Sequence, residues 1–152
     1  MDLSGNRGLL DRPLVAFFAS RTAPAEVLVL AERWAYKIAQ TDMVVISGFH
    51  SPVERAVLDI LLANNSSVVV ALPRSLYRKI PQHLLSAYSE GRVLFISFRH
   101  YSRPSLHSSQ LRNWATAELA TEVVFAPFDR TSQLSALHFS LTITQKTVIV
   151  LE

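Results

Sequence analysis

Seven basic side chains, Arg74, Arg78, Lys79, Arg92, Arg99, Arg103 and Arg112, fall within residues 74–112 against a single acidic one, Glu90. That stretch carries +6, while the eight basic and eleven acidic residues elsewhere sum to −3, so the total of +3 conceals a polarised chain. A clustered positive field attracts phosphates and steers polyanions. The plain alternative is a solvated arginine-rich face. Within the stretch, Phe98-Arg99-His100-Tyr101-Ser102-Arg103 interleaves rings with cations, a combination suited to stacking bases and neutralising phosphates.

Other chemistries find less support. With no cysteine, thiolate catalysis, disulfides and Cys-based zinc sites are excluded. His50, His83, His100, His107 and His138 show no i, i+4 pairing or carboxylate pattern, so no metal site is expected. Ser20, His50 and Asp129 could be assembled as a hydrolase triad, yet no Gly-x-Ser-x-Gly elbow surrounds Ser20. The dinucleotide fingerprint Gly-x-Gly-x-x-Gly is also missing. The expectation is a non-catalytic protein without cofactor.

The elements that must position these residues follow from hydrophobic period. Apolar, β-branched runs at residues 14–19, 43–47, 67–72, 92–97, 122–126 and 146–151 alternate with segments of helical spacing, the pattern of an α/β sheet with parallel strands. Continuous hydrophobicity, without in/out alternation, implies strands covered on both faces. Between the first two, Val27, Leu30, Ala31, Trp34, Ala35 and Ile38 form one stripe behind Pro24, which suits a helix start. Residues 52–63 give a second helix, and Pro81 splits residues 75–89 into a turn and a short third one. A fourth is expected to start near Ser108 or Ser109, with Leu111, Trp114, Ala115 and Leu119 facing inward and Arg112 in its first turn. There, Arg112 would face an anion or pair with a carboxylate such as Asp129. Residues 132–143 form a weaker helix, and His138 among its leucines reads as packing.

These spacings predict a Rossmann-like, doubly wound α/β fold: a mainly parallel six-stranded sheet with helices on both faces. It would occupy residues 12–152, with residues 1–11 as an N-terminal arm. Residues 1–12 lack the apolar stretch of a signal peptide, and no later run approaches the ~20 residues of a membrane span, so the cytoplasm is expected. In such a sheet ligands bind beyond the C-terminal strand ends, where strand order reverses. The loops to read are therefore Ala19-Ser20-Arg21-Thr22, Ser47-Gly48-Phe49-His50-Ser51 and the arginine-aromatic loop after the fourth strand.

At these residues the chain resembles the Rossmann-like core of the DNA-processing protein A (DprA/Smf) family. Ala19-Ser20-Arg21 stands at that family's Gly-Ser-Arg turn, and Ser47-Gly48 matches its Ser-Gly turn. Ser51-Pro52-Val53-Glu54 replaces an Arg-Gly-x-Asp segment. Arg112-Asn113 matches an Arg-Asn pair, and Val123-Val124 and Arg130-Thr131 match the next strand and turn. The resemblance runs from about residue 14 to 151 and covers the core alone, with no sign of an added winged-helix or helical domain. It implies a module that binds single-stranded DNA without sequence preference and without catalysis, in DNA uptake or processing. The departures at Ala19, Pro52 and Ser132, where the family has small turn residues or glycine, weaken an anion cradle built from backbone amides.

The expected phosphate or nucleic-acid contacts are thus Ser20, Arg21, Ser47, Gly48, Arg99, Tyr101, Arg103, Arg112, Asn113 and Arg130. The expected partner is single-stranded DNA or a nucleotide-like anion. A sensor of a nucleotide-derived small molecule is the alternative, favoured by a deep pocket at Ser20, Gly48 and Arg112. A continuous groove through Arg99, Arg103 and Arg112 favours a polymer. A degenerate scaffold that acts only by oligomerising is a third reading. The last apolar run would leave a vulnerable edge, and members of such a family commonly associate, so a homo-oligomer, most simply a homodimer, is expected.

Overall fold

The computed structural model describes residues 1–98 and 104–152. Along the chain come β1 (Asp2–Gly5), a 3₁₀ helix (Arg7–Asp11), β2 (Leu14–Phe18), α1 (Ala25–Ile38), β3 (Val44–Ser47), α2 (Pro52–Ala63) and β4 (Val68–Leu72). Then follow α3 (Gln82–Ser89), β5 (Val93–Ser97), α4 (Leu106–Leu119), β6 (Glu122–Phe125), α5 (Leu134–Thr142) and β7 (Thr147–Val150). One sheet has the order β1-β5-β4-β3-β2-β6-β7 and is parallel except at the β1–β5 pair.

Each strand from β2 to β6 is buried on both sides, because its alternate side chains feed two separate cores. Val15, Phe17, Val45, Val70 and Phe95 meet α1, α2 and α3 on one face. Ala16, Phe18, Ile46, Val69 and Ile96 meet α4, α5 and the 3₁₀ helix on the other. The unbroken Val/Ile/Phe runs are the sequence image of this double cover. Trp34 stacks on Phe17 with ring centroids 4.8 Å apart, as its place on the α1 stripe implies. His138 packs edge-on against Phe125.

Two expectations need correction. The sheet has seven strands, not six: the segment expected as an arm supplies β1, antiparallel to β5 from Asp2↔Ser97 to Gly5↔Leu94. Gly5 ends it at φ +117°, where a Cβ would collide with the Val93 carbonyl, so only glycine lets the chain leave the edge there. Asn6 then secures the turn, accepting from the Gly8 amide at 3.0 Å and donating to the Gly91 carbonyl at 2.8 Å.

The second correction concerns α4. Its N-cap is Ser105, whose hydroxyl accepts from the Ser108 amide at 3.0 Å while Ser108 Oγ accepts from the Ser105 amide at 2.8 Å. This reciprocal box starts the helix before the expected Ser108. Arg112 consequently lies well inside the helix rather than in its first turn. The inward stripe also differs in part: Leu119 packs against the core as expected, but Ser108, Arg112, Thr116 and Ala117 are the buried residues and Trp114 is 44 % exposed.

Candidate functional site

The chain steps from β2 through β3 and β4 to β5 in one direction and then crosses to β6 and β7 on the other side of β2. Strand order therefore reverses between β2 and β6, and the loops leaving these strands must part there. A cleft of about 840 Å³ opens at that point. Ser20, Arg21 and Thr22 come to it from β2, His50, Ser51 and Arg55 from the start of α2, Arg112 and Asn113 from α4, and Asp129 and Ser132 from beyond β6.

One wall is closed by an internal carboxylate. Ser51 caps α2 by accepting from the Glu54 amide at 3.3 Å, and Glu54 Oε1 accepts from the amides of His50 at 2.9 Å and Ser51 at 3.1 Å. Its Oε2 accepts from the Ala19 amide at 3.1 Å, across the gap between two loops. Amides at a helix N-terminus and strand end would otherwise be free to hold a phosphate. Here Glu54, only 6 % exposed, occupies them. The turn Ser51-Pro52-Val53-Glu54 is therefore a capped helix start and not an open set of amides. The Ser-x-x-Glu spacing before an apolar run is the sequence signal for this role.

Arg112 lies beside this carboxylate. It is 5 % exposed, and its Nη1 donates to the Ala71 carbonyl at 3.2 Å and its Nε to Asn113 Oδ1 at 2.8 Å. Burial pushes its pKa below the usual arginine value, and the charge of Glu54 partly offsets that. No ion pair within 4.0 Å joins it to Glu54 or to Asp129, so the expected Asp129 partner is replaced by a carbonyl, an amide oxygen and a through-space attraction. Gly48 is required by the same side chain: a Cβ there would fall within the Arg112 guanidinium. The Ser-Gly turn after β3 is thus a seat for an arginine.

The remaining expected residues divide. Ser20 and Asn113 line the cleft, and Ser20 Oγ is 3.0 Å from Ser132 Oγ. Arg21 is exposed on the rim and makes no ion pair among the described residues. Ser47 lies beneath the wall, fully buried, its hydroxyl accepting from the Phe49 amide at 3.1 Å. Arg130 is exposed beside the cleft, on whose lining Asp129 and Thr131 stand instead. Arg99, Tyr101 and Arg103 lie outside the described residues. Sequence reasoning missed Glu54, Arg55 and Ser105 as wall residues. Ser20, His50 and Asp129 share the cleft, but no hydrogen bond joins Ser20 to His50 or His50 to Asp129.

The chain is a doubly wound, Rossmann-like domain with a polar, arginine-bearing cleft at its switch point. No family model and no curated protein matches the sequence. Solved structures do match, and the fold is that of DNA processing protein A. The protein from Helicobacter pylori, whose structure concerns its single-stranded DNA binding mode, superposes with a TM-score of 0.77 at 22 % identity over 97 % of this chain and 69 % of its own. DNA processing protein A from Streptococcus pneumoniae gives 0.81 at 19 %, over 97 % of this chain and 53 % of its own, so this chain spans about half of that one. The molybdenum cofactor carrier protein of Chlamydomonas reinhardtii is more distant, at 0.62 and 15 %, over 92 % and 76 %.

Proposed function

We propose that this chain is a non-catalytic module that binds single-stranded DNA across the C-terminal strand ends, in DNA uptake or processing in the cytoplasm. The observation that carries the reading is the switch-point cleft, where Arg21, Arg55 and Arg112 meet the hydroxyl groups of Ser20, Thr22 and Ser109 and the amide of Asn113. Such donors suit phosphate oxygens, and a guanidinium forms the strongest of these bonds. The superposition on the Helicobacter protein supports a single strand as the polyanion. Because Glu54 holds the backbone amides, phosphate contacts here come from side chains, which follow a strand without reading its sequence.

A nucleotide-derived small molecule is the second reading, favoured by a cleft volume of about 840 Å³ and by the likeness to a cofactor carrier. Competition separates the two. Unlabelled oligothymidylate should displace a fluorescent twenty-nucleotide strand at concentrations where nucleoside mono- and triphosphates do not. Displacement by a mononucleotide at equal or lower concentration would favour the small molecule.

The protein also assembles as a homo-oligomer in this reading. Its β7 edge leaves Ile149 and Val150 exposed, and Phe139 and Ile143 of the adjoining α5 region are exposed as well. An unpaired apolar edge of this kind invites a partner strand.

A further inference from the structure

A second cleft of about 450 Å³ lies beyond the ends of β3 and β4, and it shares Arg112, Arg55, His50 and Pro104 with the first. Its floor is a preformed stack. The Arg74 guanidinium lies 5.1 Å over the ring of Tyr77, which in turn meets Phe95 edge-on at 5.6 Å. Arg74 is fixed from behind, its carbonyl accepting from Ser97 Oγ at 2.8 Å and its Nε donating to the Ser75 carbonyl at 3.3 Å. No carboxylate pairs with it among the described residues. A planar cation over an aromatic ring, half-buried and without an ion pair among the described residues, thus lines the cavity. Flat guanidinium faces are surfaces on which nucleobases stack.

The wall between the clefts carries the second observation. Arg112 is seated by Gly48 and bonded through Nη1 and Nε, yet no hydrogen bond among the described residues uses its Nη2. A donor on a wall common to two cavities can serve a group that passes from one to the other. Leu58, Leu72, Pro73 and Leu84 make the rest of the second cleft apolar, with Asp59 and His83 at hand for a base edge. Both volumes fall within the range of small-ligand pockets, about 300–1,000 Å³.

We propose that the second cleft is a nucleobase subsite: a base stacks on Arg74, and the phosphate linking it to the nucleotide in the switch-point cleft meets Arg112. The ligand is then an oligonucleotide of at least two nucleotides. This rests on the single-strand reading above and specifies how that strand enters.

Calorimetric titration with thymidine monophosphate, the dinucleotide pTpT and its two abasic forms, each lacking one base, tests it. For the wild-type protein, pTpT should bind roughly tenfold more tightly than the monophosphate, the gain expected of one stacked base. Removal of one of the two bases should abolish most of that gain. Arg74→Ala, a change on the cavity surface, should bind the monophosphate as before and reduce the gain to less than threefold, and for this variant the abasic form should match pTpT. Tyr77→Leu should act in the same direction, with its melting temperature recorded to confirm folding. A gain that survives Arg74→Ala, or one that persists with either base removed, overturns the subsite. If a twenty-nucleotide strand binds wild type and Arg74→Ala alike, the subsite fails and the single-strand reading stands. If no strand binds at all, both fail.

Discussion

Gly48→Ala should destabilise this protein only while Arg112 is present. Gly48 has no positive φ, so alanine fits its backbone, and the loss of unfolded-chain freedom would by itself stabilise by about 0.4–1 kcal/mol. The opposing effect is steric: the new Cβ coincides with Nη1 and Cζ of Arg112 and lies 3.0 Å from Nε. A guanidinium at the end of a flexible chain often yields cheaply, but this one is 5 % exposed and bonded at Nη1 and Nε. Displacing it breaks one or both of these bonds, and bonds to charged groups contribute about 1.5–3 kcal/mol each. With one bond lost and the chain-entropy gain set against it, the net cost is roughly 0.5–2.5 kcal/mol, and at about 2–4 °C per kcal/mol the melting temperature falls by roughly 1–10 °C. In an Arg112→Ala background the three close contacts of that methyl are gone, and the change should be neutral or slightly stabilising. Urea and thermal unfolding of wild type, both single variants and the double variant measure the coupling. A coupling within about 0.5 kcal/mol of zero, the usual additivity of unconnected sites, would refute the seat that Gly48 makes for Arg112. Arg112→Ala alone should cost about 1–3 kcal/mol, since the Ala71 carbonyl and Glu54 both lose their cationic neighbour.

Three further outcomes follow from the same geometry. Glu54→Gln keeps the shape but turns an NH₂ toward amides that can only donate, and should lower stability by about 1–3 kcal/mol in urea; an unchanged midpoint would contradict the three-amide clasp. Trp114→Phe should change stability by no more than about 0.5 kcal/mol, as for other surface substitutions, and acrylamide should quench Trp114 more readily than the stacked Trp34. Light scattering should return twice the 17.0 kDa chain mass, and Ile149→Lys should return the single mass; a monomeric wild type at high micromolar concentration would remove the edge-strand assembly.

Much of the fold could be read from the sequence because strands buried on both faces leave continuous apolar runs. Residues 14–19 and 67–72 could be little else, and every expected strand end falls within one residue of β2–β7. β1 was illegible for the opposite reason. The segment Asp2–Gly5 has one large apolar residue, and its place is set by backbone pairing with β5, which hydropathy does not record. In α4 the apolar stripe of Leu111 and Trp114 misled, because the buried face is Ser108, Arg112 and Thr116. Those polar groups are satisfied by the Ser105 box, by the Ala71 carbonyl at the end of β4 and by the bond from Thr116 Oγ1 to the Arg112 carbonyl at 2.7 Å. The cleft was legible as a set of loops, since Ser20, Arg21, Arg112 and Asn113 all line it. The clasp of Glu54 was not, because a carboxylate that spans two loops depends on the distance between β2 and α2.

The most direct measurement is the salt dependence of binding to a fluorescent single strand, a duplex and an RNA of equal length, followed by polarisation. Single-strand contacts contribute about −0.7 each to the log–log slope, so phosphates held by Arg21, Arg55 and Arg112 should give a slope near −2, and Arg21→Ala should reduce its magnitude by about 0.7. The single DNA strand should bind more tightly than the duplex at every salt concentration. A flat slope, a preference for duplex, or no binding of any strand at low salt would contradict the assignment of this cleft to single-stranded DNA.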